Sequence, residues 1–299
     1  MSKTRAWWMA GRPHTLWAAV VPVLVGGGLA WGDEGSTAER AFRWDAFVGA
    51  LIGALAIQVA ANFVNDIFDA RKGADTEERI GPTRVVASGL LSERTVWIGT
   101  TLVVAVALAA GAYLIAIAGW VVAAIGITSL LAMFGYVGGP KPYGYFGLGE
   151  VFVFVFFGVV ATVGARYVHD MTAPLDAWML AIPIGCLVTA VLVANNVRDI
   201  DTDRATGKNT LAVYLGRDRT RALFAGLVWG AFVAILVFGV FEWTPRLTLL
   251  GLMAAPLGVP IVQTIHRETR GPPLIGALKG IARLHLLVGV LLAIGAAFG

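Results

Sequence analysis

Continuous apolar runs dominate the chain, broken at fairly even intervals by short polar or Gly- and Pro-containing stretches. A membrane-spanning helix needs roughly 20 mostly apolar residues, because every backbone polar group in hydrocarbon must be bonded within its own segment. About nine runs qualify, near 14–32, 45–66, 95–118, 120–136, 147–167, 174–197, 221–241, 247–266 and 281–298. The apolar positions are continuous rather than alternating, which favours helices over a barrel. The first run is long and lacks a clear small-residue cleavage site, so it is expected to remain as a helix rather than leave as a signal peptide.

Composition agrees with lipid as the solvent. Hydrophobic residues make up 58% and charged residues 14%, whereas a soluble domain carries about a quarter charged. The formal charge of +4 raises the question of a nucleic-acid partner, but the basic residues sit in loops beside spans, and a membrane explanation comes first. With nine spans, 19 of the 23 Lys and Arg fall on the amino terminus and the connections 2–3, 4–5, 6–7 and 8–9, leaving Arg40, Arg43, Arg166 and Arg246 for the other side. The positive-inside rule then places the amino terminus and those connections in the cytoplasm of a multi-pass plasma- or inner-membrane protein, with the carboxyl terminus outside. Trp31, Trp44, Trp97, Trp120 and Trp243 fall at span ends, as interfacial anchors do. Cys186, the single cysteine, rules out an intramolecular disulfide and reads as inert packing. His14, His169, His266 and His285 show no ligand spacing and read as structural or interfacial.

Chemistry concentrates where the second and sixth spans end. Asn62 to Asp75 reads Asn-Phe-Val-Asn-Asp-Ile-Phe-Asp-Ala-Arg-Lys-Gly-Ala-Asp, and Asn195 to Asp203 reads Asn-Asn-Val-Arg-Asp-Ile-Asp-Thr-Asp. Gln58, Asn62, Asn65, Asp66 and Asp69 recur at three- and four-residue spacing, predicting one polar stripe on a helix. Asn195, Asp199 and Asp203 recur every four residues. The two stretches resemble copies of each other: Asn65-x-x-x-Asp69 matches Asn195-x-x-x-Asp199. Gly81, Thr83, Gly89 and Arg94-Thr95 match Gly207, Thr210, Gly216 and Arg219-Thr220. An internal duplication would bring both acidic clusters to one central cavity.

Carboxylates packed this closely at a membrane need a compensating positive charge. Oxygen-only ligands without Cys or His point to a hard metal, and magnesium shared between carboxylates and substrate phosphates fits better than calcium in a protein cage. The competing reading pairs the acids with Arg71, Lys72, Arg198 and Arg204 on a solvated loop.

At these residues the sequence resembles the UbiA-type intramembrane prenyltransferases, whose hallmarks are an Asn-Asp-x-x-Asp motif after the second helix and an Asp-x-x-x-Asp motif after the sixth. The nearest branch is the one that prenylates 1,4-dihydroxy-2-naphthoate on the way to menaquinone. Four further features carry this: Gly11-Arg12-Pro13-His14-Thr15-Leu16; Lys72-Gly73-x-Asp75 after Asp69; Gly138-Gly139-Pro140 leading to Tyr145 and Gly147-Leu148-Gly149-Glu150; and Asn195-Asn196-x-Arg198-Asp199. The superfamily's longer first motif ends in an Asp four residues beyond Asp69, where this chain has Gly73, with Asp75 two places later.

The resemblance implies a single all-α domain over 1–299: about nine transmembrane helices in two related halves around a central cavity open toward the membrane, capped by cytoplasmic loops near 67–94 and 198–220. It implies magnesium held by Asn65, Asp66, Asp69, Asp199 and Asp203, with Asp75 and Asn195 as further ligands; Asp66, Asp69, Asp199 and Asp203 would be catalytic. The implied substrates are a polyprenyl diphosphate and an aromatic acid, whose carboxylate leaves as carbon dioxide to give a demethylmenaquinol. Arg12, Lys72, Lys141, Arg198 and Lys208 are placed by sequence to bind phosphate oxygens. Phe152, Phe154, Phe156 and Phe157, with Tyr136, Tyr143 and Tyr145 just before them, offer ring faces to shield an allylic cation, and Tyr136 is the preferred one. Acceptors such as 4-hydroxybenzoate or homogentisate stay open, as does a cation transporter, since that class also joins intramembrane acids to an internal repeat. Transporters place such acids near the midplane, whereas these sit at span ends.

Overall fold

The computed structural model describes residues 2–33, 41–72 and 84–299. Its helices are α1 (Lys3–Gly11), α2 (Trp17–Gly32), α3 (Trp44–Arg71), α4 (Glu93–Ala118), α5 (Trp120–Val137), α6 (Gly149–Val153), α7 (Ala161–Asp170), α8 (Leu175–Ala205), α9 (Leu211–Leu215), α10 (Arg217–Val240), α11 (Ala255–Arg267) and α12 (Pro272–Phe298). A π-helical stretch, Phe154–Val160, fuses α6 to α7, and a 3-10 stretch, Arg246–Ala254, leads into α11. No strand occurs among the described residues.

Eight of these continuous helical segments are long and apolar enough to cross a bilayer, and they coincide with eight of the nine apolar runs. The remaining run is broken: Lys3–Thr15 and Trp17–Gly32 meet at 50°. The break follows from Gly11-Arg12-Pro13, since Arg12 adopts φ 46° as the residue closing α1, and Pro13 cannot supply the amide that would continue it. The chain is a multi-pass, all-helical membrane protein.

Small residues close the bundle. In lipid no hydrophobic force drives helix on helix, so close approach of backbones must do it. Gly28 and Gly32 of α2 lie against the backbone of Ala293 and Ala296 of α12, where an added Cβ has no room, and Gly289 takes the Val21 side chain. The first and last spans are thereby joined, which makes a ring of the helices instead of a sheet-like array.

The repeat has a conformational trace. Gly89, before α4, has φ 70°, and its sequence match Gly216, before α10, has φ 76°. Gly81 and Thr83 lie outside the described residues. Charge also sorts between the ends of the bundle. At one end, Lys72 Nζ donates to the Val137 carbonyl at 2.8 Å, tying α3 to α5, and Arg217 at the start of α10 donates to Thr269 O at 3.1 Å and to Asp201 at 3.0 Å, tying it to α8 and the end of α11.

At the other end Arg166, with no exposed surface, donates to Asp170 at 2.6 and 3.0 Å and to Asp33 at 2.5 Å, clamping α7 to the end of α2. Its neighbour His169 accepts the Arg43 amide at 3.0 Å and stacks on Phe42. The carboxylate partners of Arg166 keep part of their surface open, so losing it removes charged hydrogen bonds without stranding a fully buried charge. Arg166→Met should therefore cost about 2 kcal/mol and lower the thermal unfolding midpoint in detergent, while Arg246→Met, which removes an exposed pair with Glu242, should leave it within error.

Candidate active site

α3 and α8 both run beyond the apolar slab, through their acidic motifs, to Arg71 and Ala205. Their polar side chains meet at one end of a cavity of about 410 Å³. Gln58, Asn62, Asn65 and Asp69 from α3 line it, as do Asn195 and Arg198 from α8, with Arg12, Arg84 and Lys208 from the loops. Both motif helices thus reach one chamber at one end of the molecule, but of the four expected acids only Asp69 lines it; Asp199 and Asp203 stand behind their lining partners Arg198 and Lys208.

The predicted stripe on α3 is split. Asp66 follows Asn65 by about 100° around the helix and faces segment 84–86 instead of lining the cavity. Its Oδ2 accepts the Val85 and Val86 amides at 3.0 and 3.1 Å, and its Oδ1 stands 4.0 Å from both Arg12 Nη2 and Arg84 Nε. Deeper in, Asn62 donates to Gly11 O at 2.9 Å and to Thr15 Oγ1 at 3.0 Å, and Gln58 donates to the same Thr15 hydroxyl at 3.2 Å. The stripe therefore fixes the elbow between α1 and α2, which holds Arg12 at the chamber mouth.

Each carboxylate at the mouth has a cationic partner. Asp69 Oδ2 accepts Arg84 Nη2 at 2.6 Å and its Oδ1 accepts the Tyr145 hydroxyl at 3.0 Å. Asp199 accepts two bonds from Arg198, at 2.7 and 2.6 Å, and Arg198 also donates to Asn195 Oδ1 at 2.7 Å. Asp203 stands 3.7 Å from Lys208 Nζ, which returns toward it because Gly207 turns the chain with φ 72°. Tyr145 joins the halves: Lys72 Nζ lies 4.0 Å and Lys208 Nζ 5.5 Å from its ring centre. Burial lowers the Lys72 ammonium from its usual range, with Asp69 opposing and Lys208 adding to the shift.

Not every sequence expectation converges here. Lys141 is exposed and does not line the cavity, because the turn at Gly138–Gly139 directs it to the surface. Asp75 lies outside the described residues. Arg71 and Arg204 take no part in the mouth pairs described; Arg71 pairs outward with Glu93. Two groups went unrecognised in the sequence. Arg84 sits behind a Gly-Pro-Thr stretch with no motif of its own, although the apolar Val85-Val86 after it hinted at a buried segment. Glu150 accepts Asn196 Nδ2 at 2.8 Å while both are buried, a contact across 46 residues that no spacing in the sequence signals.

Below the mouth the cavity is apolar, with an aromatic wall. Tyr136, Tyr143, Phe152 and Phe156 all line it. Tyr136 packs edge-on against Tyr143 at 5.4 Å, Tyr143 stacks on Phe152 at 3.9 Å, and Phe152 is parallel to Phe156 at 6.0 Å. Along this span the lining residues recur at steps of four, as Phe152, Phe156, Val160, Gly164 and Val168. In an α-helix each step of four drifts by about 40°, so four steps would turn the row away from the chamber. The wider π turns at Phe154–Val160 drift the opposite way and keep the row facing inward.

A charged mouth over an apolar chamber within a membrane defines a class: an integral-membrane site for an amphiphile with an anionic head. The UbiA prenyltransferase family pattern matches residues 15–275, and the chain belongs to that family. A relative from Mycobacterium tuberculosis, described as 1,4-dihydroxy-2-naphthoate octaprenyltransferase, is 39% identical over 298 residues, covering 98% of each chain. One from Escherichia coli with the same description is 34% identical, covering 99% of this chain and 96% of its own. The fold matches that of a UbiA homolog from Archaeoglobus fulgidus bound to GPP and Mg2+, with TM-score 0.63, 14% identity and coverage of 96% and 99%.

The donor set can be tested against a divalent metal. Among the described residues no three His, Cys, Asp or Glu side chains stand close enough to hold an ion by themselves. Asn65, Asp69 and Asn195 nonetheless present oxygen donors from two helices to one chamber lined by Arg12, Arg84, Arg198 and Lys208. That set fits magnesium that completes its shell with water and phosphate oxygens. Arg84 should bind the anionic head directly: Arg84→Gln should weaken binding of inorganic diphosphate with magnesium about ten- to a hundredfold, the worth of a hydrogen bond between charged groups, by titration calorimetry.

Proposed function

We propose that this protein transfers a polyprenyl group from polyprenyl diphosphate to 1,4-dihydroxy-2-naphthoate with loss of the carboxylate as carbon dioxide, giving a demethylmenaquinol. The observation that carries the reading is the single chamber in which both acidic motifs meet above an apolar, ring-lined cavity. The near-full-length similarity to relatives so described supports the choice of acceptor. The excess of basic residues at the mouth end supports a cytoplasmic mouth.

In this reading the diphosphate enters the mouth and competes for the cations that now hold the carboxylates. Arg84, Arg198 and Lys208 turn from Asp69, Asp199 and Asp203 toward phosphate oxygens, with Arg12 and Lys72 alongside. The released carboxylates, with Asn65 and Asn195, would hold magnesium; bound there, it would neutralise charge growing on the leaving diphosphate. Asp66 keeps the segment that carries Arg84 in place through its two amide bonds. The face of Tyr136 shields the allylic carbon as its bond to oxygen breaks. Electrons for the new carbon–carbon bond come from the acceptor ring, and the departing carboxylate returns its pair to the ring. The sum, prenyl diphosphate plus naphthoate giving prenylated quinol, carbon dioxide and diphosphate, balances without net proton transfer. The chain therefore needs to position and desolvate the acceptor instead of supplying a general base.

Purified protein with magnesium, a prenyl diphosphate and a panel of aromatic acids should couple 1,4-dihydroxy-2-naphthoate and release carbon dioxide in equal amount. Coupling without carbon dioxide, or preference for 4-hydroxybenzoate, would overturn the acceptor. Asp69→Ala and Asp199→Ala should each lower turnover at least about a thousandfold while the protein stays folded, and removal of magnesium with a chelator should abolish turnover until magnesium is restored. Wild-type turnover in either variant would refute the role given to the motifs.

A further inference from the structure

One stretch of the chain, Tyr143 to Phe156, meets both acidic motifs and the aromatic wall. The Tyr145 hydroxyl donates to Asp69 of the first motif at 3.0 Å, and Tyr143, Phe152 and Phe156 form the stacked part of the wall. Between them, in the first turn of α6, Glu150 accepts Asn196 Nδ2 of the second motif at 2.8 Å. Glu150 differs from the carboxylates at the mouth. Asp69, Asp199 and Asp203 each face a cation, whereas Glu150, 5% exposed, has no Lys or Arg within ion-pair distance among the described residues. Neither Glu150 nor Asn196 lines the chamber. Their bond therefore acts on the site through what it holds.

What it holds is the rotation of α8. Asn195 and Asn196 are neighbours, so their side chains leave the helix about 100° apart. With Asn196 tied to Glu150, Asn195 lines the chamber, where its Oδ1 accepts Arg198 Nη2 at 2.7 Å, and Arg198 donates to Asp199 at 2.7 and 2.6 Å. Further along these spans the contact sets no such angle. Gly158 and Gly185 meet backbone to backbone, and a Cβ on Gly158 would stand 2.4 Å from Gly185 Cα. Apolar surfaces in close contact fix a separation and leave rotation soft, while a hydrogen bond is directional.

We propose that Glu150 is a positioning residue: through Asn196 it sets the rotation of α8 that presents Asn195 and Arg198 to an anionic head in the chamber. This rests on the donor being a prenyl diphosphate. The bond supplies orientation more than stability, since two apolar groups of similar shape can replace a buried hydrogen-bonded pair with little loss of folding free energy.

The doubly apolar variant, Glu150→Leu with Asn196→Leu, separates those two contributions. It should unfold in detergent no earlier than the unaltered protein, yet bind inorganic diphosphate with magnesium about tenfold more weakly by titration calorimetry. Its turnover of geranyl diphosphate with 1,4-dihydroxy-2-naphthoate should fall about a hundredfold, the scale of a misplacement of about 1 Å. Glu150→Gln with Asn196→Asp exchanges donor and acceptor and should recover at least about tenfold of that turnover. Should the doubly apolar variant not fold, Asn196→Ala, which leaves space for water beside Glu150, should give the same two losses. Undiminished affinity and turnover without the bond, losses that only track a lowered unfolding midpoint, or no recovery in the exchanged pair would overturn the positioning role while leaving the proposed reaction standing. Failure of the unaltered protein to couple any prenyl diphosphate would overturn the reaction itself.

Discussion

Charge at the edge of a hydrocarbon slab must be balanced at short range, and the whole active end of this protein is organised by that requirement. Asp69 with Arg84, Asp199 with Arg198 and Asp203 with Lys208 are three pairs within 2.6 to 3.7 Å. Paired, the carboxylates can sit where α3 and α8 leave the apolar slab. In the proposed reaction, an anionic head with its own cation offers both partners an equivalent match, so the resting pairs would serve as a template for the bound state.

The same constraint explains why the aromatic wall lies where it does. A cation forming on carbon beside the mouth cannot be left to water, which would trap it, nor to a carboxylate, which would bond to it. Ring faces attract without bonding, and the run from Tyr136 through Tyr143 to Phe152 begins at the charged mouth and continues into the apolar chamber. From Phe152 the lining continues to Val168 in four steps of four residues, and the π segment is what keeps that row facing the chamber.

The apolar runs made the bundle legible, since span length and continuity leave few alternatives in lipid. Span ends were less legible. Asn65 to Arg71 and Asn195 to Ala205 carry acids and amides at the span ends, yet the helices continue through them: on α3 Asp66 and Asp69 find partners off the helix, and on α8 Arg198 pairs with Asp199 and Asn195 of its own helix. The π turns were invisible, as the same Phe and Val residues suit an α-helix equally. Arg84 was invisible for another reason: its position depends on two backbone amides reaching Asp66, a contact across 19 residues that no spacing rule encodes. Lys141 shows the converse, a basic residue beside a motif that a glycine turn sends outward.

The apolar depth of the chamber also separates the two classes the sequence left open. A cation carrier must connect its acids to both faces of the membrane by a polar route. Here Arg12, Gln58, Asn62, Asn65 and Asp69 stand toward one end, and beyond Gln58 the lining on α3 is Ile57, Ala54, Gly53 and Ala50, ending at the cluster of Leu114, Val122 and Val168. An ion driven down that tube would lose its hydration with nothing to replace it, at a cost of many times RT. A hydrocarbon tail loses only unfavourable contact with water, so the chamber that would stop a carrier is the one that suits a long apolar donor.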